Sequence, residues 1–295
     1  MPVIEEKAAL CVDEILFATD FSASSEVAES YVEALAHRFG STVNAVHVYD
    51  SWQNESYEGG QLAPLDSQRL VVRHQKLAML KSKLSQTGIK AKSLLLNGHP
   101  AFEKVLALIN GGGSDLVVLG THSKAGLKRF VLGSTAEEIM RTANRPVLTV
   151  GPRVKHATER NPVFRNIVFT PDFSNESVKA AEYTSFLAQE NGAHLYFCHV
   201  VGQTDQDAQR QEAIDYSFLG RLNSTAMKCS CDWCMKQTLL EHGDAAEGIL
   251  KLAKKVQADL IVLGPRAHSF MLTHLERGVT LDVLAHAECP VLTVR

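Results

Sequence analysis

Residues Ile15–Val48 read ILFATDFSASSEVAESYVEALAHRFGSTVNAVHV, and residues Ile167–Val200 read IVFTPDFSNESVKAAEYTSFLAQENGAHLYFCHV. The two stretches align at a constant offset of 152, with Asp20-Phe21-Ser22 on Asp172-Phe173-Ser174 and His47-Val48 on His199-Val200. Further on the offset is 144: Asp115-Leu-Val-Val-Leu-Gly120 falls on Asp259-Leu-Ile-Val-Leu-Gly264, and Pro146-Val-Leu-Thr-Val150 on an identical Pro290-Val-Leu-Thr-Val294. The same landmarks in the same order, two copies only, mean a duplicated domain and not a solenoid. The change of offset puts eight extra residues in the first copy, most of them expected in the polar stretch Tyr49–Pro64. The polar segment Gly151–Pro162 reads as the linker, so the domains are expected at 1–152 and 163–295.

Within each copy, short β-branched runs alternate with longer amphipathic ones. In the first copy the expected strands are Glu14–Ala18, Thr42–Val48, Lys90–Leu96, Asp115–Leu119 and Val147–Val150. The expected helices are Ser24–Arg38, Ser67–Gln86, Ala101–Ile109 and Thr135–Thr142. Val27, Tyr31 and Leu35 keep the spacing of one buried helix face. Leu116–Leu119 and Leu260–Leu263 are continuously apolar, as strands covered on both faces are. The expected fold is therefore α/β: two tandem copies of an open five-stranded parallel sheet with helices on both faces. The closing Pro-Val-Leu-Thr-Val strands would be apolar edges unless covered. Their identity suits a pseudo-two-fold in which Val147–Val150 pairs with Val291–Val294 and the chain forms an intramolecular pseudo-dimer. By the same reasoning the first copy alone is expected to homodimerise; pairing of whole chains into a homo-oligomer, a dimer, is also expected but is not dictated by it.

Charge and composition exclude several classes. Thirty basic against 33 acidic residues leave a net charge of −3, which supports neither a broad nucleic-acid surface nor a polybasic membrane anchor. No apolar run approaches the length that spans a bilayer, and the N-terminus lacks the layout of a signal peptide, so a cytoplasmic protein is expected. Its six cysteines are then expected to be reduced.

In an open parallel sheet, ligands sit beyond the carboxyl ends of the strands. At the first tip, Asp20 either orders the turn or accepts a hydrogen bond from a ligand such as an adenine amino group, while Ser22 or Ser24 caps the next helix. At the fourth tip the chain runs from Gly120 through His122, Ser123, Lys124, Lys128 and Arg129 to Gly133-Ser134-Thr135, which opens a helix. Gly120 is expected to give the backbone freedom to leave the strand. Exposed N–H groups and hydroxyls at the helix start favour phosphate oxygens.

These landmarks, with Asn97-Gly98-His99-Pro100 and Arg145-Pro146-Val-Leu-Thr-Val150, resemble a tandem universal stress protein over essentially the whole chain. The resemblance implies an adenine nucleotide alpha-hydrolase-like fold and a stress-response role with ATP as a regulatory ligand. Asp20 and Val48 would hold the adenine, Gly98 would lie against the ribose, and Gly120, Ser123, Gly133 and Ser134 would wrap the phosphates. ATP-binding members of the family carry Gly-x2-Gly-x9-Gly-Ser/Thr; this chain keeps that spacing but has Ser123 at the second glycine. Mg2+ is expected with the nucleotide, although the sequence offers no dedicated carboxylate for it. A protein partner is implied. The alternatives are a slow ATPase, for which His122 is the one candidate base in the loop, and an interaction module without ligand.

The second copy departs from the pattern at the phosphate end. Gly264 is followed by Pro265, the spacing to Gly278 is one residue longer, Val279 replaces the hydroxyl, and Glu276 brings negative charge. This copy is expected to be structural or to bind something uncharged. Cys229, Cys231 and Cys234 lie close enough to hold zinc with a fourth ligand, and His194 is expected at the same sheet end. Against zinc, an extended chain points Cys229 and Cys231 to one side and Cys234 to the other, and no second Cys-x-x-Cys exists. The ordinary reading is reduced cysteines in a packed loop and strand. His47 and His199 read as satisfied core histidines.

Overall fold

The structure, a computed structural model, describes residues 10–50, 64–121, 133–157, 163–202, 208–228, 234–264 and 278–295. The first half contains β1 (Glu14–Ala18), α1 (Ala23–Phe39), β2 (Thr42–Tyr49), α2 (Pro64–Gln86), β3 (Ala91–Asn97), α3 (Ala101–Asn110), β4 (Leu116–Gly120), α4 (Ser134–Thr142) and β5 (Val147–Val150). The second half repeats the order: β6 (Asn166–Thr170), α5 (Asn175–Asn191), β7 (His194–Val201), α6 (Ala208–Lys228), β8 (Lys236–His242), α7 (Ala245–Lys255), β9 (Leu260–Leu263), α8 (Val279–His286) and β10 (Val291–Thr293). Fourteen residues (50–63) separate β2 from α2 and six (202–207) separate β7 from α6; over the whole stretch from β2 to β3 the first half is seven residues longer, and the eighth extra residue lies between β3 and α3 (98–100 against 243–244).

All ten strands form one sheet in the order β3-β2-β1-β4-β5-β10-β9-β6-β7-β8. Pairing is parallel within each half. It is antiparallel at the centre, where Val291, Leu292 and Thr293 face Thr149, Leu148 and Val147. The two apolar edges therefore cover one another as the pseudo-two-fold requires, leaving β3 and β8 at the outside. Successive residues of β1 show why the strands are apolar throughout. Ile15 and Phe17 are fully buried in a core with Val32, Leu35 and Leu84, while Leu16, between them, belongs to the opposite core with Val105 and Ile139. Both cores run through both halves.

Helices α1 and α5 begin alike. Ser22 Oγ accepts from the Ser25 N–H and Ser174 Oγ from the Ser177 N–H, each at 3.3 Å. Both end on a left-handed glycine, Gly40 (φ 72°) and Gly192 (φ 60°). The two helices also meet across the pseudo-two-fold. Phe39 stacks on Phe186 with centroids 5.5 Å apart, and the Arg38 guanidinium donates to the Glu190 carbonyl and, at 3.2 Å, to its carboxylate. Tyr183 Oη donates to the Asp115 carbonyl at 3.1 Å. The linker is docked on α1: Tyr31 Oη donates to the Lys155 carbonyl and the Ala157 N–H donates to Ser30 Oγ. No described helix is long and apolar enough to cross a membrane.

Cys234 corrects the expectation of reduced cysteines and the zinc alternative. It precedes β8 and is disulfide-bonded. A sulfur in a disulfide has no thiolate to offer a metal, and Cys229 and Cys231 lie outside the described residues. Cys11, Cys198 and Cys289 are free thiols.

Candidate functional site

The carboxyl ends of β1 and β4 and the start of α4 enclose a cavity of about 460 Å3. Its two ends are built by different means.

At the first end, β1 hands over to α1 through a turn closed by its own side chains. Asp20 Oδ1 accepts from the Ser22 N–H at 2.9 Å and from Ser25 Oγ at 2.6 Å. Thr19 Oγ1 accepts from the Phe21 N–H at 3.0 Å. Asp20 thus orders the turn and also lines the cavity, so both of its expected roles are compatible. Phe21 sits at φ 58°, the left-handed region that side chains avoid, and its counterpart Phe173 sits at φ 61°. Strain of this kind, of order ~1–3 kcal/mol, persists where the surroundings over-determine it. Here the Phe21 ring packs on His47 with centroids 4.8 Å apart, and the Lys76 ammonium lies over it at 5.3 Å. His47 Nδ1 is 2.8 Å from the Thr19 carbonyl, which assigns the proton to that nitrogen. Burial holds the His47 pKa below its ordinary value, and His199, 3.0 Å from the Pro171 carbonyl, is shifted the same way for the same reason. Both histidines are satisfied at the tips, as expected. The paired left-handed phenylalanines carry no signal in sequence beyond the repeated Asp-Phe-Ser.

Between the ends, Val46 and Val48 of β2, Val105 of α3 and Leu119 of β4 make an apolar slot. At the far end, α4 starts on Gly133 (φ −60°, ψ 136°) with no side-chain cap. The first N–H groups of a helix have no intrahelical partner, and here the residues at that helix start, Gly133, Ser134 and Thr135, line the cavity. A Cβ on Gly133 would meet nothing within 4 Å among the described residues. Glu137, in the first turn of α4, also lines the cavity; it is the carboxylate the sequence did not single out.

Gly120 has a different job from the one expected. It is not among the residues with positive φ. A Cβ there would stand 2.6 Å from the Ser24 carbonyl carbon and oxygen and from the Ser25 nitrogen. β4 therefore ends in direct contact with the backbone of α1, and only a residue without a side chain fits. Gly264, at the end of β9, is similar: its Cβ would stand 2.9 Å from Ser177 Cα and 3.1 Å from Ala180 Cβ. The glycine is kept in the half that lost the rest of the loop pattern because packing needs it.

Gly98 stands at the tip of β3, its N–H donating to the Tyr49 carbonyl, outside the residues that line the cavity; the Lys104 side chain occupies the space a Cβ would take. Ser123, His122, Lys124, Lys128 and Arg129 lie outside the described residues, as do Pro265 and Glu276. Among the described residues, the one group of three potential metal ligands is Cys11, Asp13 and Asp115, at the opposite ends of the strands. Asp115 there accepts the N–H groups of Asp13 and Glu14, and Asp259 does the same for Arg165 and Asn166. The carboxylates are repeated staples between strand entries.

The family model for the universal stress protein family matches residues 12–151 and 164–295. Universal stress protein Slr1230 of Synechocystis sp. is 25% identical over 305 aligned residues, covering 95% of this chain and 99% of its own. A universal stress protein from Archaeoglobus fulgidus superposes with a TM-score of 0.70 over 95% of each chain at 19% identity, a likeness of fold. A smaller one from the same organism, solved in complex with dAMP, covers 44% of this chain and 98% of its own at 19% identity and a TM-score of 0.36. Two family matches on one chain, meeting in one continuous sheet, make it a tandem member of the universal stress protein family.

Proposed function

We propose that the first half, residues 1–152, binds ATP, and that the nucleotide acts as a regulatory ligand for a protein partner in a stress response. The observation that carries this reading is one cavity with two unlike ends. An apolar slot closed by the Asp20 carboxylate suits a flat base that bears an amino group, and an uncapped helix start with Ser134 and Thr135 suits phosphate oxygens. At about 460 Å3 the cavity lies inside the range for ligands of drug size. No described residue stands within 4 Å of a Cβ on Gly133, where phosphates would approach. Mg2+ fits the reading: Glu137 is the carboxylate at that end, and the ion would offset its charge against the phosphates. The base would be gripped between Val48 and Val105 and oriented by the Asp20 turn.

The test is to denature the purified full-length protein and identify any released small molecule by mass. An adenine nucleotide is expected, or its uptake when the protein is supplied with Mg-ATP. A protein that releases none and takes up none would overturn the reading.

A further inference from the structure

The chain has six cysteines. Cys11, Cys198 and Cys289 are free thiols, and Cys234 is disulfide-bonded. Its partner is therefore Cys229 or Cys231, and one sulfur of Cys229-Ser-Cys231-Asp-Trp-Cys234 is left over. Residues 229–233 lie outside the described ones, so the assignment rests on their counterparts in the first half. β8 pairs with β7 as β3 pairs with β2, Leu195 on Lys236 where Val43 is on Ala91, so β3 and β8 correspond at an offset of 145. α2 and α6 keep that offset. Lys76 and Arg221 each lie over the left-handed phenylalanine of their half, at 5.3 and 4.0 Å, and Leu77 and Leu222 are both buried. Cys229 then falls on Leu84, Cys231 on Gln86, Trp233 on Gly88 and Cys234 on Ile89.

In the first half these positions close the end of α2. Gly88, at φ 87°, is the left-handed cap. Its N–H donates to the Ser85 carbonyl at 3.0 Å, and the Ile89 N–H donates to the Leu84 carbonyl at 3.1 Å. This pair of bonds ends a helix on a glycine and brings its two outer residues into apolar contact. Here those residues are Leu84 and Ile89, both buried in one core, while Gln86 is exposed. The second half has Trp233 where the cap needs a glycine, and a bulky side chain avoids that conformation. It also has a cysteine at each of the two positions that the cap brings together. A covalent bond between them would hold the helix end to the strand entry without the glycine. Cys234 packs, partly buried, on the same core, which also holds Leu222 and Ala226 of α6.

The third sulfur gives such a bond a way to open. Both ends of the bond fall on core positions and Cys231 falls on an exposed one, so a small thiol in solvent reaches Cys231 first. Thiolate attack on a disulfide needs the sulfurs close together, and three cysteines within six residues supply that. A bond that closes so short a loop removes little chain entropy, so its opening is a local event. We propose that Cys229, Cys231 and Cys234 are a thiol–disulfide switch, in which a Cys229–Cys234 bond locks the end of α6 to the entry of the edge strand β8 and Cys231 relays that bond to a low-molecular-weight thiol. The Cys231 thiolate attacks the Cys234 sulfur, and Cys229 leaves as a thiolate. A glutathione thiolate then attacks the Cys231 sulfur and releases Cys234. A second glutathione thiolate takes the mixed disulfide, giving glutathione disulfide and restoring the Cys231 thiolate. Two glutathione thiols are oxidised and one protein disulfide is reduced; excess glutathione disulfide runs the sequence backwards. The switch is independent of what the cavity of the first half binds.

The test equilibrates full-length protein in glutathione buffers of graded thiol-to-disulfide ratio and quenches it in acid. Free thiols take one alkylating label, thiols released by later reduction take a second, and fragment masses locate both. In oxidising buffer Cys231 should carry the first label and Cys229 and Cys234 the second; in reducing buffer all three should carry the first. Reduction should speed amide hydrogen exchange about tenfold or more over residues 225–228 and 235–237 and leave β1 and β6 unchanged. Cys231→Ser, or Cys231→Ala if the first fails to fold, should keep the bond and slow its opening by glutathione about tenfold or more. A bond mainly between Cys231 and Cys234, labels indifferent to the glutathione ratio, amide exchange indifferent to reduction, or undiminished opening in the Cys231 variants would each overturn the proposal. So would one zinc per chain in the reduced protein that shields all three cysteines from the first label.

Discussion

Gly120→Ala separates packing from ligand binding in a motif where the two are easily confused. The new methyl would stand 2.6 Å from three backbone atoms of Ser24 and Ser25. Contacts under 3 Å do not persist between unbonded carbons and backbone, and no flexible side chain is present to move aside, so α1 must shift. Overpacking of this kind costs about 1–3 kcal/mol. At roughly 2–4 °C per kcal/mol for a chain of this order of size, Tm should fall by several degrees. The shift also reaches the site, because Ser25 Oγ holds Asp20 Oδ1 at 2.6 Å. Gly264→Ala should lose stability in the same way: its methyl would stand 2.9 Å from Ser177 Cα, and Ser177 Oγ holds Asp172 at 2.6 Å. Gly133→Ala meets nothing within 4 Å among the described residues, at an ordinary φ of −60°, so it should cost less than about 1 kcal/mol, the difference between glycine and alanine as N-caps. It should nonetheless weaken Mg-ATP, because the methyl takes room at the phosphate end. Thermal unfolding of the three variants without nucleotide, followed by titration with Mg-ATP, is the assay. A Gly120→Ala protein as stable as the parent, or less affected than Gly133→Ala, would refute the packing argument.

Two further outcomes concern stability alone. Arg38 and Glu190 occupy equivalent places in the two halves (offset 152), and with side chains 25% and 37% exposed their contact is partly screened. Arg38→Glu should destabilise by about 1 kcal/mol in chemical denaturation, and Arg38→Glu with Glu190→Arg should regain most of it; no recovery would show that the pair contributes nothing. His47 and His199 have folded-state pKa values held below the ordinary one by burial, so below about pH 6.5 the unfolded chain binds protons that the folded chain refuses. Stability should therefore be level above that value and fall as pH drops from 7 towards 5. His47→Asn with His199→Asn should flatten the slope, and an unchanged slope would locate the titration elsewhere.

The repeat made the architecture legible because strand order and edge pairing follow from symmetry. Two identical Pro-Val-Leu-Thr-Val strands have to be edges, and the pairing of Val291 with Thr149 answers both at once. The position of the site was legible as well, since ligands gather at the carboxyl ends of parallel strands. What stayed hidden depends on contacts between residues distant in the chain. The reason for Gly120 lies 95 positions away, at Ser25. Glu137 looks like an ordinary first-turn acidic residue until α4 is seen to open on the cavity. The symmetry argument also concealed an asymmetry. Two first halves paired about the same axis would set Arg38 against Arg38, where the tandem chain sets it against Glu190.

The central claim is that one chain holds two copies of one domain and that only the first takes a nucleotide. Calorimetric titration of the full-length protein, stripped of any bound ligand, with Mg-ATP tests it most directly. The account predicts saturation at one ATP per chain, with Gly133→Asp abolishing the heat in a folded protein because a carboxylate would then face the phosphates at a helix start. Saturation at two equivalent sites, or at one site indifferent to Gly133→Asp, would contradict it.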